Sequence, residues 1–256
     1  MTSHEFTKAD AARIAKLPRV GAMATMPTRI SSLRRVLPRI LPQLDRLYLF
    51  LDKYAEPPPE SKHQKIICLT SQVEGLRLGP SGKLLGLTLE RSPVVYAMFD
   101  DDILYPASYV QTLVRGLIRH RGRAMVGFHA CRYVPPYASF LNDRIVYSFH
   151  KAMFFDRQVD QLGSGTTALL SEMLDVDPRG WPHGDMDDLM LALEAERRGI
   201  PRIALRRHRW YLRAIATDQP DSIYRRVRQD ETRHAPYLAE LMRLLGRSGT
   251  ESQGVR

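Results

Sequence analysis

The sequence predicts an α/β fold with a mostly parallel central sheet flanked by helices. Three observations carry this. Val94, Val95, Tyr96, Ala97, Met98 and Phe99 form an uncharged, mostly apolar run, which reads as a short strand covered on both faces. The run ends directly on Asp100, Asp101 and Asp102, and open α/β sheets bind ligands just outside the carboxyl ends of their strands. The segment ahead of it alternates strand, helix, strand, loop and strand, the order that begins a parallel doubly wound sheet.

Taken in order, residues 1–17 are polar and read as a short peripheral helix, favoured by Asp10 and the alanines after it. They lack the apolar centre of a signal peptide. Residues 20–26 read as a small-residue strand, followed by a tight turn at Pro27, Thr28 and Arg29. Ile30, Leu33, Leu37, Ile40, Leu41 and Leu44 recur at helical spacing, so this helix lays one face on a sheet. Pro38 and Pro42 are expected to kink or end it. Residues 47–51 and 65–69 read as strands, with an exposed loop at Pro57, Pro58 and Pro59 between them. A glycine-rich loop over 75–83 ends in Lys83. It is not a phosphate-binding P-loop, because Leu84 stands where Ser or Thr is required. A helix over 84–90 leads to the acidic strand.

Beyond that strand, residues 107–120 read as a helix and 124–128 as a further strand. Residues 133–139 form a proline-containing loop, and the signals over 149–159 are mixed. Gly163, Ser164, Gly165, Thr166 and Thr167 form a small-residue turn that lets a ligand approach backbone closely. Asp185, Met186, Asp187 and Asp188 precede a helix over 189–198 that stops at Gly199. One Asp suffices to cap a helix; three within four residues leave room for a general base. Residues 203–205 form a last strand, residues 237–245 a last amphipathic helix, and 246–256 a polar tail read as disordered. His208 is read as a surface residue, with metal ligation as the alternative. The expected organisation is an N-terminal extension over 1–18, one domain over 19–245, and the tail.

The chain has 256 residues, 44% of them hydrophobic and 26% charged. That is enough to bury one large core, and no apolar run is long enough to span a membrane. Cys68 and Cys131 both lie in apolar segments, the pattern of buried thiols in a reducing cytosol rather than of a disulfide. The net charge is +10, with much of the arginine excess between 197 and 228. Such a balance suits a phosphorylated substrate or an anionic surface. No zinc spacing and no aromatic RNA-binding signature accompany it, so nucleic acid is not expected as a partner.

The chemistry concentrates at the acidic turn. Side chains two apart in a strand point the same way. Asp100 and Asp102 therefore share a side if the extended geometry continues, and Asp101 faces away. Two converging carboxylates repel unless a cation lies between them. Hard divalent cations take such oxygen ligands, and Mg²⁺ is commonly held by one or two carboxylates plus substrate phosphates. The residues alone thus point to a metal–diphosphate site. A solvated acidic turn capping the next helix is the plainer reading.

Together these segments resemble a bacterial glycosyltransferase of the GT-A fold, close to the family 2 type. Ala24, Thr25, Met26, Pro27, Thr28 and Arg29 are similar to the nucleotide-binding turn after the first strand. Gly79, Pro80, Ser81, Gly82 and Lys83 are similar to the loop before the metal motif. Phe99 to Pro106 resembles the DXD segment, Gly163 to Thr166 the glycine–threonine turn, and Met186 to Ala192 the acidic motif that carries the base in inverting members. The resemblance covers residues 19–245.

It implies that Asp100 and Asp102 hold Mn²⁺ or Mg²⁺ against a nucleotide diphosphate. Thr28, Arg29, Lys83, Asp100 and Asp101 are then the donor-binding residues, and Asp188 is the base that deprotonates the acceptor hydroxyl, with inversion. Asp187 stands where many family members have Glu, so the base could shift by one position. The implied partners are a nucleotide-sugar, a UDP-sugar by preference, and a saccharide or glycolipid acceptor in bacterial surface polysaccharide or glycoconjugate synthesis. The implied location is the cytoplasm, with peripheral contact at the inner face of the membrane. A metal-dependent nucleotidyl- or phosphotransferase would use the same acidic turn. A non-enzymatic binding module whose 197–228 basic face docks on nucleic acid or anionic lipid is the third reading, and it predicts steeply salt-dependent binding that survives loss of the carboxylates.

Overall fold

The computed structural model describes residues 5–70, 78–215 and 223–247. In chain order its strands are β1 (Arg19–Thr25), β2 (Arg46–Leu51), β3 (Ile66–Thr70), β4 (Val95–Asp100), β5 (Ile103–Leu104), β6 (Met125–Gly127) and β7 (Ala130–Tyr133), then β8 (Arg144–Tyr147), β9 (Arg157–Val159), β10 (Gln161–Leu162), β11 (Thr167–Leu170), β12 (Arg202–Ala204) and β13 (Arg213–Ala214). The helices are α1 (Lys8–Lys16), α2 (Ile30–Ile40), α3 (Leu85–Leu89), α4 (Tyr109–Arg119), α5 (Asp187–Arg197), α6 (Ile223–Gln229) and α7 (Ala235–Leu244).

Eight strands form the central sheet in the order β3-β2-β1-β4-β11-β6-β12-β9. The four strands from β3 to β4 are parallel. Next to β4 the pattern breaks, because β11 runs antiparallel to both β4 and β6. β12 is parallel to β6, and β9 closes the edge antiparallel. The sheet is therefore mixed but mostly parallel, as the sequence predicts. The antiparallel insertion was not expected. It brings the turn before β11 to the carboxyl end of β4, beside the three aspartates.

β4 shows why its sequence is continuously apolar. Val95, Ala97 and Phe99 enter the core on one face, with Leu33, Leu37 and Ile40 of α2 and Leu113 and Leu117 of α4. Tyr96 and Met98 enter the core on the other face, with Leu84, Leu87, Leu191 and Ala195. Alternate residues of one strand feed two cores, so neither face tolerates a polar side chain. α5 is apolar on two sides for a related reason. Leu191 and Ala195 face the sheet, whereas Met190 and Leu193 pack with Leu238 and Leu241 of α7.

Several boundaries differ from the sequence reading. Pro38 lies inside α2, which runs two residues further before tightening into a 3₁₀ turn over Leu41–Gln43. It falls in the last turn, where the lost amide bond costs little helix beyond it. The loop over Gly79–Leu84 is itself a 3₁₀ helix leading into a shorter α3. The 149–159 segment contains β9, and a β7–β8 hairpin stands apart in a small second sheet with β10. α1 is fixed by a capping box between Thr7 and Asp10, and its Ile14 is buried in the main core. The start of the glycine-rich loop and residues 248–256 of the expected tail lie outside the described residues. Arg247, within that tail, pairs with Asp160 at 2.7 Å. No helix among the described residues is long and apolar enough to cross a membrane, and neither cysteine forms a disulfide.

Candidate active site

The carboxyl ends of β1 and β4 form the floor of a cleft of about 400 Å³. It is lined by Thr25, Arg29, Lys83, Asp100, Asp101, Asp102 and Ser164 and by the acidic start of α5. The strand geometry stops at Asp100, so the simple alternation expected of the three aspartates does not continue. All three line the cleft, but each is held differently.

Asp101 is buried and accepts a 2.6 Å hydrogen bond from Thr25 Oγ1. Burial pushes its carboxyl up to about 7, against that hydrogen bond. Asp102 faces Arg29, with 3.3 Å between Nη1 and Oδ2. Burial and the neighbouring Asp100 charge raise its carboxyl, against the Arg29 charge. Asp100 accepts a hydrogen bond from Lys83 Nζ at 2.7 Å. Its backbone N–H donates to Tyr105 OH at 2.8 Å, and Tyr105 OH donates to the carbonyl of Gly165 at 2.6 Å. The side chains of Asp100 and Asp102 keep 41% and 33% of their exposure, so both present oxygen atoms to the cleft.

Lys83 is the hub. The sequence left it between a phosphate ligand and a solvated surface lysine; the structure buries it to 2% exposure. Its ammonium lies 2.7 Å from Asp100, 3.2 Å from Asp187 and 3.0 Å from Ser164 Oγ. Burial opposes the charge, but Asp100 and Asp187 outweigh it and hold the lysine protonated, well above its usual range. The loop carrying Lys83 is itself tied to the acidic segment: Ser81 donates through both its N–H and its hydroxyl to the carbonyl of Gly184.

Ser164 sorts the three carboxylates of the second acidic cluster. Its hydroxyl donates to Asp187 Oδ2 at 2.5 Å, and its backbone N–H donates to Asp188 Oδ1 at 2.7 Å. Asp187 is buried, with one oxygen shared between Ser164 and Lys83. Asp188 is half-buried, and its Oδ2 makes no hydrogen bond among the described residues. Burial and the adjacent Asp187 charge push the Asp188 carboxyl up to about 7, against the Ser164 N–H and Lys83. Asp185 points elsewhere, toward Arg233 at 2.9 Å and Arg226 at 3.6 Å.

The small-residue turn is required by the protein's own packing. A Cβ on Gly165 would overlap the Asp100 carboxylate. The close approach anticipated for a ligand is thus made by a side chain of the site.

Of the residues singled out from the sequence, Arg29, Lys83, Asp100, Asp101, Asp102 and Asp188 come together in this cleft. Thr28 does not. It is exposed in the 3₁₀ turn Pro27–Arg29, and the inward residue is Thr25, the last of β1. His208 is exposed, bonds to the carbonyl of Arg209 and does not line the cleft. His129 lines it instead. Burial, Arg144 and Arg207 push His129 down to about 4, so it is neutral at pH 7. Thr25, Tyr105 and Ser164 lay within the quoted motifs but were given no role of their own, and His129 was missed.

Among the described residues, no group of three or more His, Cys, Asp or Glu side chains is arranged to hold a metal ion. Asp100 and Asp102 supply two hard carboxylates, near enough that the Asp100 charge raises the Asp102 carboxyl. That donor set fits a Mg²⁺- or Mn²⁺-type ion only when a substrate diphosphate supplies further oxygens.

No family model matches the chain, and no curated protein matches its sequence. Solved structures do match its shape. A structure of GalNAc-T7 with UDP, GalNAc and Mn²⁺ aligns with a TM-score of 0.52 at 10% identity, over 93% of this chain and 53% of that one. The chain thus spans about half of that protein's length. Glucosyl-3-phosphoglycerate synthase from Mycobacterium tuberculosis, in complex with Mn²⁺, UDP-glucose and phosphoglyceric acid, aligns with a TM-score of 0.53 at 14% identity, over 95% of this chain and 84% of that one. At such identities the likeness is one of fold: the chain has the mixed α/β fold of the GT-A glycosyltransferases.

Proposed function

We propose that the protein is a metal-dependent glycosyltransferase that moves a sugar from a nucleotide-sugar to an acceptor hydroxyl. One observation carries the reading. Two carboxylates at the carboxyl end of β4 and two at the start of α5 face one cleft; Lys83 bridges the pairs through Asp100 and Asp187, and Ser164 holds Lys83, Asp187 and Asp188. The fold supports it, since both similar structures hold Mn²⁺ together with UDP or UDP-glucose.

Asp100 and Asp102 would hold Mn²⁺ or Mg²⁺ against the donor diphosphate, where the ion acts as a Lewis acid that neutralises the leaving charge. Arg29 lies beside Asp102 and adds a fixed cation on the donor side. Asp101, buried against Thr25, fixes the turn. Asp188 is the base. Its Oδ1 is anchored by Ser164 N–H, and its Oδ2 takes the acceptor proton as the acceptor oxygen attacks the anomeric carbon and the bond to the diphosphate breaks. In-line attack inverts that centre. Asp187 positions Lys83 and Ser164 and takes no proton. A carboxyl near 7 suits a base working at neutral pH.

The finer reading is a family 2-type enzyme using a UDP-sugar, with a saccharide or glycolipid acceptor, in bacterial surface polysaccharide or glycoconjugate synthesis at the cytoplasmic face of the membrane. The test is product analysis on a panel of nucleotide-sugars with Mn²⁺. Release of free nucleoside diphosphate together with a transferred sugar of inverted anomeric configuration is the expected result. Pyrophosphate as the product would assign nucleotidyl transfer instead.

A further inference from the structure

The 150–157 segment and the 206–210 segment lie side by side. Met153 and Arg207 exchange backbone hydrogen bonds at 2.8 Å in both directions, and Trp210 N–H donates to the carbonyl of His150. On the far side, Asp156 accepts from Arg206 N–H at 2.8 Å. Between the Met153 and Asp156 anchors only Phe154 and Phe155 remain. They are 80% and 74% exposed, and Trp210 is 49% exposed. Trp210 also has φ +61°, a backbone region that a bulky side chain rarely occupies and that persists only where neighbouring contacts impose it.

The charges around these rings are of one sign. Lys151, Arg157, Arg206 and Arg209 are exposed and form no ion pair among the described residues. Arg209 stacks over Trp210 at 5.2 Å. The acid at this place, Asp156, is taken up by Arg119 and His120. The rest of the basic segment is mixed: Arg213 and Arg228 are also exposed without an ion pair among the described residues. Arg197, Arg198 and Arg202 pair with glutamates, and Arg207 is buried and donates to the carbonyls of Leu205, Tyr147 and Ser148. Beside the three exposed aromatic rings, four cations thus stand without an ion pair among the described residues.

We infer that Phe154, Phe155 and Trp210, with Lys151, Arg157, Arg206 and Arg209, form a docking surface for an anionic lipid bilayer. Exposed apolar side chains rimmed by cations match the interface of such a bilayer. The rings enter the boundary between headgroups and acyl chains, and the cations meet the negative surface potential. The patch also connects to the cleft. The rings of His129, Phe149, His150 and Trp210 follow one another at 5.7, 4.2 and 5.5 Å, and His129 lines the cleft. Docking there would set the cleft beside the headgroup layer. The inference deepens the glycolipid-acceptor reading by naming the surface, yet its geometry is independent of the sugar chemistry.

The test is flotation of the full chain with phosphatidylglycerol–phosphatidylcholine vesicles and with phosphatidylcholine vesicles, at low and high salt. Wild type is expected to float with the anionic vesicles at low salt, with a blue shift of Trp210 emission that Trp210→Phe removes. Lys151→Glu with Arg209→Glu should weaken binding by about 25-fold or more, at about fivefold for each cation lost. Phe154→Ser with Phe155→Ser should weaken it by about tenfold or more. Both double variants should keep the melting temperature and any Mn²⁺–UDP shift of wild type, because none of these residues lines the cleft. Absence of flotation at low salt, or binding that neither variant changes, overturns the inference. So does a wild-type dimer that Phe154→Ser with Phe155→Ser converts to monomer without any vesicle binding, since the patch would then join two copies. Vesicle binding without any nucleotide response would leave the docking surface standing and remove the glycosyltransferase reading.

Discussion

Tyr105 joins the two walls of the site: its hydroxyl accepts from the Asp100 N–H at 2.8 Å and donates to the Gly165 carbonyl at 2.6 Å. The Asp100 carboxylate and the turn before β11 are thereby held in register. Tyr105→Phe leaves a buried carbonyl and an N–H without partners, a loss of about 1–3 kcal/mol. Thermal unfolding should show a fall of about 2–4 °C per kcal/mol lost, and nucleotide affinity should weaken with it.

Gly165→Ala should act on the same carboxylate without touching a hydrogen bond. The added Cβ overlaps Asp100, so Mn²⁺-dependent UDP affinity is expected to fall by about tenfold or more, the effect of shifting one hard ligand. Gly180→Ala is the control, since a Cβ there meets nothing within 4 Å and titration calorimetry should show unchanged affinity.

Lys83→Met replaces the buried ammonium with an apolar chain of similar length. Asp187 then loses its cation inside the protein, and breaking a buried pair typically costs about 3–5 kcal/mol. Asp100 is partly exposed, which places the expected loss at the low end. Acid relieves it, because protonating the stranded carboxylates removes the repulsion. The deficit against wild type should therefore shrink from pH 8 to pH 5 in denaturant melts.

Asp188 ties activity to stability through one proton. Its folded-state carboxyl near 7 lies above its unfolded value of 3.8, so the folded protein holds the proton more tightly. Stability on this account falls as pH rises from about 4 to about 7 and then levels. The ionised form above 7 is the active base, so transfer should fall about tenfold per pH unit below 7. Asp188→Asn keeps an acceptor for the Ser164 N–H. It should abolish transfer while melting higher than wild type at pH 8, with an advantage that vanishes near pH 4.

What the sequence makes legible follows from range. The β4 run, the helical spacing of α2 and the acidic start of α5 are local patterns, and each element is where its residues predict. The contacts that build the site act across the chain. Thr25 and Asp101 are 76 positions apart, Lys83 and Ser164 are 81, and Tyr105 and Gly165 are 60. No local period marks such pairs. The antiparallel placement of β11 was hidden for the same reason, since four residues, Thr167–Leu170, carry no signal of their direction. Thr25 and Thr28 both belong to the quoted turn after β1, and the one that reaches the site is Thr25, the last residue of the strand.

The central claim is that Asp100 and Asp102 hold a divalent ion against a nucleoside diphosphate. Titration calorimetry of UDP into the wild type and Asp102→Ala, each with Mn²⁺ and with chelator, tests it most directly. The account predicts binding by wild type that requires Mn²⁺ and is lost in Asp102→Ala. UDP binding of equal strength without Mn²⁺, or binding that Asp102→Ala leaves unchanged, would contradict it.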